Sequence, residues 1–463
     1  MTGAREARGL MALLLLLTCV AAMPCAAAEF RDQVVETVLP NGLKVILHEQ
    51  HRVPLVTFQV WYRVGSRHEA WGKTGLSHML EHMMFKGTQK VGPKEYSRII
   101  QEHGGEDNAF TSRDFTAYVA ELSSDEVQVA IELEADRMQN LVLREEDFHT
   151  ERMVVMEERR LRTDDNPQAA LLEQLEATAH QTSPYHWPII GWMEDIARLS
   201  LADVQAYYHT YYHPANAFIV VVGDFQIPAL LPRLEQAFGA YPRGPVPDQQ
   251  KGIDPPQSGE RRIILKRVAQ LPSLAMGYHV PNLREPDSYV LEVIAAILSQ
   301  GQSSRLYQSL MREKRLAFEA SADYSLLSRD PGLFLLSATP LPGKDIAEVE
   351  QAIDHVIERL QGEPVPEREL DKAKNQLEAV FIMGQDSLIA QAMLFAQYEI
   401  ALSWRAIDDY LPAIRRVSPE DIQRVASQYL IPDNRTVGML MPLPPKEGQT
   451  PPSGTSLREQ LVR

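Results

Sequence analysis

His78-Met79-Leu80-Glu81-His82 is the stretch from which the rest of the chain takes its order. On a helix, residues four apart share one face, about a turn from each other. His78 and His82 can then each offer an imidazole nitrogen to a single metal ion. Glu81, three residues after His78 and one before His82, hangs its carboxylate over the rim of the same site. Neutral imidazoles bind zinc tightly, and a carboxylate that is not a ligand can take a proton from a water the metal polarises. Two histidines and a glutamate also meet by chance on ordinary helices, and the chain holds 13 His. The flanking sequence has to decide.

Upstream, residues 34–39 and 43–47 read as strands around Pro40-Asn41-Gly42, a hairpin signal. Residues 56–64 are a further β-rich run. The motif helix follows Gly72 to Gly75, runs to about Phe85 and stops at Gly87. Pro93 opens a helix that reaches about Glu102, and Gly104-Gly105 ends it. Residues 108–122 alternate as a pair of strands. Residues 124–139, 145–162 and 169–180 are amphipathic helices, and 218–222 is a buried strand.

At 463 residues, 44% hydrophobic and 23% charged, the chain has globular composition and a length that calls for two or more domains. Arg5 and Arg8 precede an apolar run over residues 10–20, and Ala26-Ala27-Ala28 offers a cleavage site. Residues 1–28 therefore read as a secretory signal peptide, which predicts a periplasmic or secreted protein. Both cysteines, Cys19 and Cys25, fall inside it, leaving no thiolate ligand and no disulfide in the mature chain. A metal must then rest on His and carboxylate. The net charge is −16; the leader carries +1 (Arg5 and Arg8 against Glu6), so the mature chain stands at −17. That acidity, with no basic stripe, argues against nucleic acid. No later apolar run reaches membrane-spanning length.

Residues 241–259, rich in Pro, Gly and Gln, read as a linker, after which the order of elements begins again. Residues 263–265 and 274–280 read as strands and 289–298 as a helix. Superposing Gly87 on Gly301, an offset of 214, sets His78 against Glu292, Glu81 against Ala295 and His82 against Ala296. The second half repeats the first with its metal ligands gone. The expected fold is α+β: two similar domains, each an antiparallel-rich sheet packed by helices. The first covers 29–240 and binds the metal; the second covers 260–443 and does not. The tail, 444–463, is expected to be disordered.

Two histidines leave a zinc site one protein ligand short. The helix over 145–162 carries Glu151, Glu157 and Glu158, with Glu151 and Glu158 two turns apart along one face. Spacing alone also fits carboxylates on a solvated helix.

The H-x-x-E-H order is the inverse of H-E-x-x-H. Followed by Glu151-Arg152-Met153-Val154-Val155-Met156-Glu157-Glu158, it resembles the pitrilysin/insulinase family, and in particular the bacterial two-domain homologues of the mitochondrial processing peptidase beta subunit. The resemblance covers nearly the whole mature chain. It implies one zinc ion per chain on His78, His82 and Glu158, Glu81 as general base, and Glu151 steadying a ligand; Glu157 is the competing third ligand. Asn108-Ala109-Phe110-Thr111-Ser112 is similar to the family's substrate-binding edge strand, with Asn108, Ala109 and Phe110 as the candidate contacts. Gly301-Gln302-Ser303-Ser304-Arg305-Leu306-Tyr307 looks like the second-domain signature.

One stretch departs from the family. Active members supply an Arg and a Tyr, seven apart, to the substrate carbonyl and its oxyanion. Arg312 to Phe318 is a residue short here and ends in phenylalanine, which has no hydroxyl to donate. The resemblance therefore implies a zinc endopeptidase for peptides or unfolded segments, working as the metal-bearing member of a clam-shell pair with a homologous, motif-less partner chain. A homodimer using Tyr324 is the alternative assembly. A non-catalytic binding or assembly protein with a structural or vestigial zinc site is the alternative function.

Overall fold

The computed structural model describes residues 30–247 and 252–444. The expected signal peptide with Cys19 and Cys25, part of the expected linker, and the tail beyond Pro444 lie outside the described residues.

The first half builds a six-stranded sheet in the order β1-β2-β6-β3-β5-β4. Its strands are β1 (Val34–Val38), β2 (Lys44–Glu49), β3 (Leu55–Tyr62), β4 (Glu106–Thr111), β5 (Thr116–Ser123) and β6 (Ala217–Gly223). The hairpin expected at Asn41-Gly42 joins β1 to β2, with Val38 facing Lys44. The helices of this half are α1 (Leu76–Met83), α2 (Glu95–Glu102), α3 (Val127–Asn140), α4 (Glu145–Arg159), α5 (Pro167–Ala179), α6 (Met193–Arg198), α7 (Leu201–Tyr211) and α8 (Ile227–Phe238). The motif pentapeptide lies wholly inside α1. The predicted helix over 145–162 is α-helical only to Arg159 and then widens into a π turn, Arg160–Asp164, a local irregularity often met beside functional sites.

The second half builds a five-stranded sheet ordered β7-β11-β8-β10-β9 from β7 (Arg261–Val268), β8 (Ser273–Val280), β9 (Ala317–Asp323), β10 (Gly332–Pro340) and β11 (Arg435–Leu443). Its helices are α9 (Asp287–Ser299), α10 (Ile346–Gly362), α11 (Glu367–Gly384), α12 (Leu388–Ala401), α13 (Ile407–Arg416) and α14 (Pro419–Tyr429).

Apart from β1, the two sheets have one topology. The central parallel pair β2–β6 answers to β7–β11, and β3-β5-β4 answers to β8-β10-β9. Helix α1 packs on α4, α7 and β4; α9 packs on α11, α14 and β9. The expected repeat is therefore a repeat of architecture. It also has a local signature at an offset of 218. Ser200 and Ser418 cap α7 and α14 through the same box with Asp203 and Asp421. The Asn216 and Asn434 amides donate to the carbonyls of Tyr211 and Tyr429 at 2.9 and 2.8 Å.

The halves hold each other by exchanging a helix. Helix α5, capped by Asn166 with Pro167 in its first turn, leaves the first half and lies on β7, β8 and β11 of the second. Leu171, Leu172 and Leu175 there meet Ala275, Leu335 and Leu440 in a buried cluster. Gly277 and Gly438 leave room for it: a Cβ on either would stand 3.0–3.1 Å from Leu175 or Leu171. In return α12 of the second half lies on β3 and β6. In the described part of the connector, Asp254 is pinned by the backbone N–H groups of Gln181, Thr182 and Ser183. Among the described residues no single helix is long and apolar enough to cross a membrane; α11 and α12 pass such a test only as a pair bent by 114°.

Candidate metal and active site

Helix α1 is held by its N-terminus. Gly75 enters it with φ 87°, a left-handed conformation that favours glycine. The carboxylate of Glu69 accepts from the backbone N–H of Gly75 and of Ser77, at 2.7 Å each. A carboxylate there meets unpaired helix donors and the positive end of the helix dipole. Burial nevertheless pushes the Glu69 carboxyl up to about 8, against the pull of those two hydrogen bonds. Nothing in the sequence spacing marks Glu69, because its role depends on how the loop before α1 folds back.

The four-residue spacing brings His78 and His82 together as expected. Their Nε2 atoms are 3.3 Å apart. Oε2 of Glu158, on α4, lies 3.3 Å from His82 Nε2 and 3.7 Å from His78 Nε2. Two donors that each bind zinc at about 2.0–2.1 Å in tetrahedral geometry stand roughly 3.3 Å apart, so two imidazoles and one carboxylate here fit a zinc ion in both type and spacing. Nδ1 of His78 is buried without a hydrogen-bond partner among the described residues, leaving Nε2 as this ring's site of engagement. Glu157 is exposed and pairs with Arg160 at 2.8 Å, whereas Glu158 is turned toward the rings and pairs with Arg162 at 3.0 Å.

The electrostatics follow from the packing. Burial, aided by His82, pushes His78 down to about 4. Burial works the same way on His82, but hydrogen bonds to Glu151 and Glu158 outweigh it and hold this imidazole up at about 9. For Glu158 burial favours the neutral acid, yet His82, His78 and Arg162 bring it down to about 2. Glu151 sits behind the site, with Oε1 2.9 Å from Nδ1 of His82 and its other oxygen paired with Lys86. That bond orients the ring so that Nε2 points forward.

Glu81 touches neither histidine nitrogen within hydrogen-bond range; its Oε2 accepts the hydroxyl of Thr111 at 2.5 Å. Burial raises the carboxyl, and the Thr111 bond only partly reverses this. The group is thus a carboxylate poised toward the protonated form beside a metal-type donor set, as proton transfer in both directions requires.

Thr111 ends β4, the last strand of its sheet. Side chains alternate along a strand, so Ala109 shares the face of Thr111, while Asn108 and Phe110 stand on the opposite face. Phe110 packs against Trp61 and Phe115, and the Asn108 side-chain oxygen accepts the N–H of Ala109 at 2.9 Å. What β4 presents beside Glu81 is its backbone edge, Ala109 and Thr111. In the second half Arg312 is exposed in a π turn and Phe318 is 66% exposed on β9. The hydroxyl of Tyr324 donates to the Pro281 carbonyl at 2.6 Å.

Residues 44–191 match the family described as insulinase (peptidase family M16), and residues 198–377 match the peptidase M16 inactive domain. The zinc protease PqqE of Helicobacter pylori is 33% identical over 423 residues, spanning 90% of this chain and 94% of that protein. The chain belongs to the insulinase (M16) peptidase family. An uncharacterized zinc protease of Mycobacterium leprae is 29% identical over 86% of this chain and 89% of that protein. The crystal structure of a protease from Helicobacter pylori superposes with a TM-score of 0.84 at 32% identity, over 88% of this chain and 99% of that one. An M16 inactive-domain structure from Pseudomonas fluorescens, 18% identical with a TM-score of 0.79, shares the fold. The named relatives are zinc proteases, and this chain shares their family and fold.

Proposed function

We propose that this M16 chain is the metal-bearing, catalytic subunit of a two-subunit zinc endopeptidase of the periplasm or the extracellular space, cutting extended peptides or unfolded segments. The observation that carries the reading is the triangle of His78 Nε2, His82 Nε2 and Glu158 Oε2, with edges of 3.3, 3.3 and 3.7 Å, beside Glu81, whose carboxyl burial raises. His78, His82 and Glu158 would hold one zinc ion, which when bound supplies a Lewis acid for the carbonyl and the attacking water.

The chain's own groups then have distinct tasks. Glu151 keeps His82 turned toward the metal, and Glu81 takes the proton of the attacking water and hands it to the departing amine. Its raised pKa eases the second transfer, and Thr111 keeps the first within reach. An extended peptide adds to the open edge of β4 by backbone hydrogen bonds, a mode that tolerates many side chains.

Phe318 stands where the family resemblance calls for a hydroxyl donor, and the Tyr324 hydroxyl is already engaged by Pro281. The oxyanion donor is therefore assigned to a second chain of the same fold, with a homodimer as the alternative. The periplasmic protease PqqL of Escherichia coli, a fold likeness at 16% identity, is a longer chain of which this one covers 48%, a length with room for a second such unit. The missing hydroxyl equally favours a second reading, a peptide-binding protein whose zinc is structural.

Purified mature chain, alone and mixed with a motif-less homologue, separates these readings on a quenched-fluorescence peptide library. Cleavage that needs the mixture and disappears in Glu81→Gln supports the two-subunit peptidase. Bound zinc without cleavage in any mixture supports the binding protein.

A further inference from the structure

A second group of metal-binding side chains gathers at the seam between the halves, on residues the peptidase site does not use. His180 ends α5 and is 4% exposed. Its Nδ1 lies 2.7 Å from Oδ2 of Asp254 in the connector. The other oxygen of Asp254 accepts N–H groups from Gln181 and Thr182 at 2.7 Å each and from Ser183 at 3.0 Å, so this carboxylate is fixed in direction. His279 comes from β8 of the second half, and its Nε2 lies 3.1 Å from the Ala179 carbonyl oxygen. The two rings stand nearly perpendicular with centroids 5.4 Å apart. One nitrogen of each ring and one oxygen of Asp254 all fall within 4.8 Å of one another.

His279 has one nitrogen backed by the Ala179 carbonyl, the posture of a metal-bound histidine, whose second nitrogen donates to such a group and leaves the first as a lone pair. His180 Nδ1 and Asp254 Oδ2 face each other across 2.7 Å, as two donors that would meet at one ion in place of the proton they share. Two imidazoles and a carboxylate are donors suited to zinc and its neighbours. His180 also lines a cavity of about 510 Å³ between the halves, bordered by Arg113, Glu176, Tyr185 and Tyr324.

We propose that His180, Asp254 and His279 bind a second divalent transition-metal ion, zinc by donor type, which ties α5 and the connector of the first half to β8 of the second. Its effect falls on the junction: an ion bound only by the assembled halves stabilises that assembly.

The test is metal stoichiometry on the mature chain, stripped with chelator, reloaded with zinc and passed through gel filtration. Two equivalents are expected for the unaltered chain and one for His279→Gln. One is also expected for His78→Ala/His82→Ala, whose seam is untouched. In that double variant zinc is expected to raise Tm, and adding His279→Gln is expected to abolish the rise. One equivalent in the unaltered chain and none in the double variant would overturn the proposal. The double variant keeps this outcome accessible even if His279→Gln misfolds.

Discussion

Thr111 donates its hydroxyl to Oε2 of Glu81 across 2.5 Å and so ties the edge strand β4 to the motif helix α1. Burial pushes the Glu81 carboxyl up, and this bond pulls it part of the way back. In Thr111→Val the carboxyl should rise further. Because the base must be ionised to accept a proton, the acidic limb of the kcat/KM profile should then move to higher pH. A hydrogen bond to a charged group is worth about 1.5–3 kcal/mol, so the loss on the acidic limb should be roughly tenfold or more, with little loss on the alkaline plateau. Thr111→Ser should restore the profile, and zinc content should stay constant throughout. A pH–rate series on the three proteins checks this.

Glu151 reaches the metal site only through His82 Nδ1, at 2.9 Å. Replacing such an orienting partner typically weakens metal binding by about 10–100-fold. Glu151→Gln is expected to fall in that range in a chelator-competition titration while keeping Tm within a few degrees. An unchanged zinc affinity would remove Glu151 from the site.

Glu292 lies on α9, the counterpart of α1, at the position set against His78 by the offset of 214. Burial, with no other contribution, raises its carboxyl to about 7. The unfolded chain ionises this group near 4.5, so between pH 4.5 and 7 the folded chain binds more protons, and stability falls as pH rises. Glu292→Gln should abolish that part of the pH dependence. Above pH 7 it should stabilise the protein by on the order of 1–3 kcal/mol, read from denaturant melts at pH 5 and pH 8.

The site was legible where its logic is local. His78 and His82 share a helical face by spacing alone. Glu158 needed the family resemblance, because spacing equally allowed Glu157 and only the packing of α4 on α1 turns Glu158 inward. Thr111, Glu69 and Lys86 gain their roles from tertiary contacts that no periodicity encodes. The doubled topology was legible from the return of strands after residue 260, yet its clearest mark, the Ser200/Asp203 and Ser418/Asp421 boxes, lies in capping residues rather than in apolar rhythm. Helix α8 carries Pro232 inside it, a residue that argues against a helix when read in isolation. The apolar face of α5 announces that it is buried, but not that it lies on the other half's sheet.

Leu175 is fully buried in that exchange, between α5 and the second sheet. Leu175→Ala should cost about 2–5 kcal/mol. Because α5 and α12 clasp reciprocally, near-UV and far-UV signals should still melt together, at a lower temperature. Separate transitions for the two halves would show that the exchange does not couple them.

The most direct test compares unaltered chain with Glu81→Gln at equal zinc content, each mixed with the motif-less homologue, on the quenched peptide library. Removal of a general base commonly costs about 10²–10⁴ in rate. A loss of that size with zinc retained is the predicted result. Equal cleavage by both proteins would contradict Glu81 as the group that moves the proton.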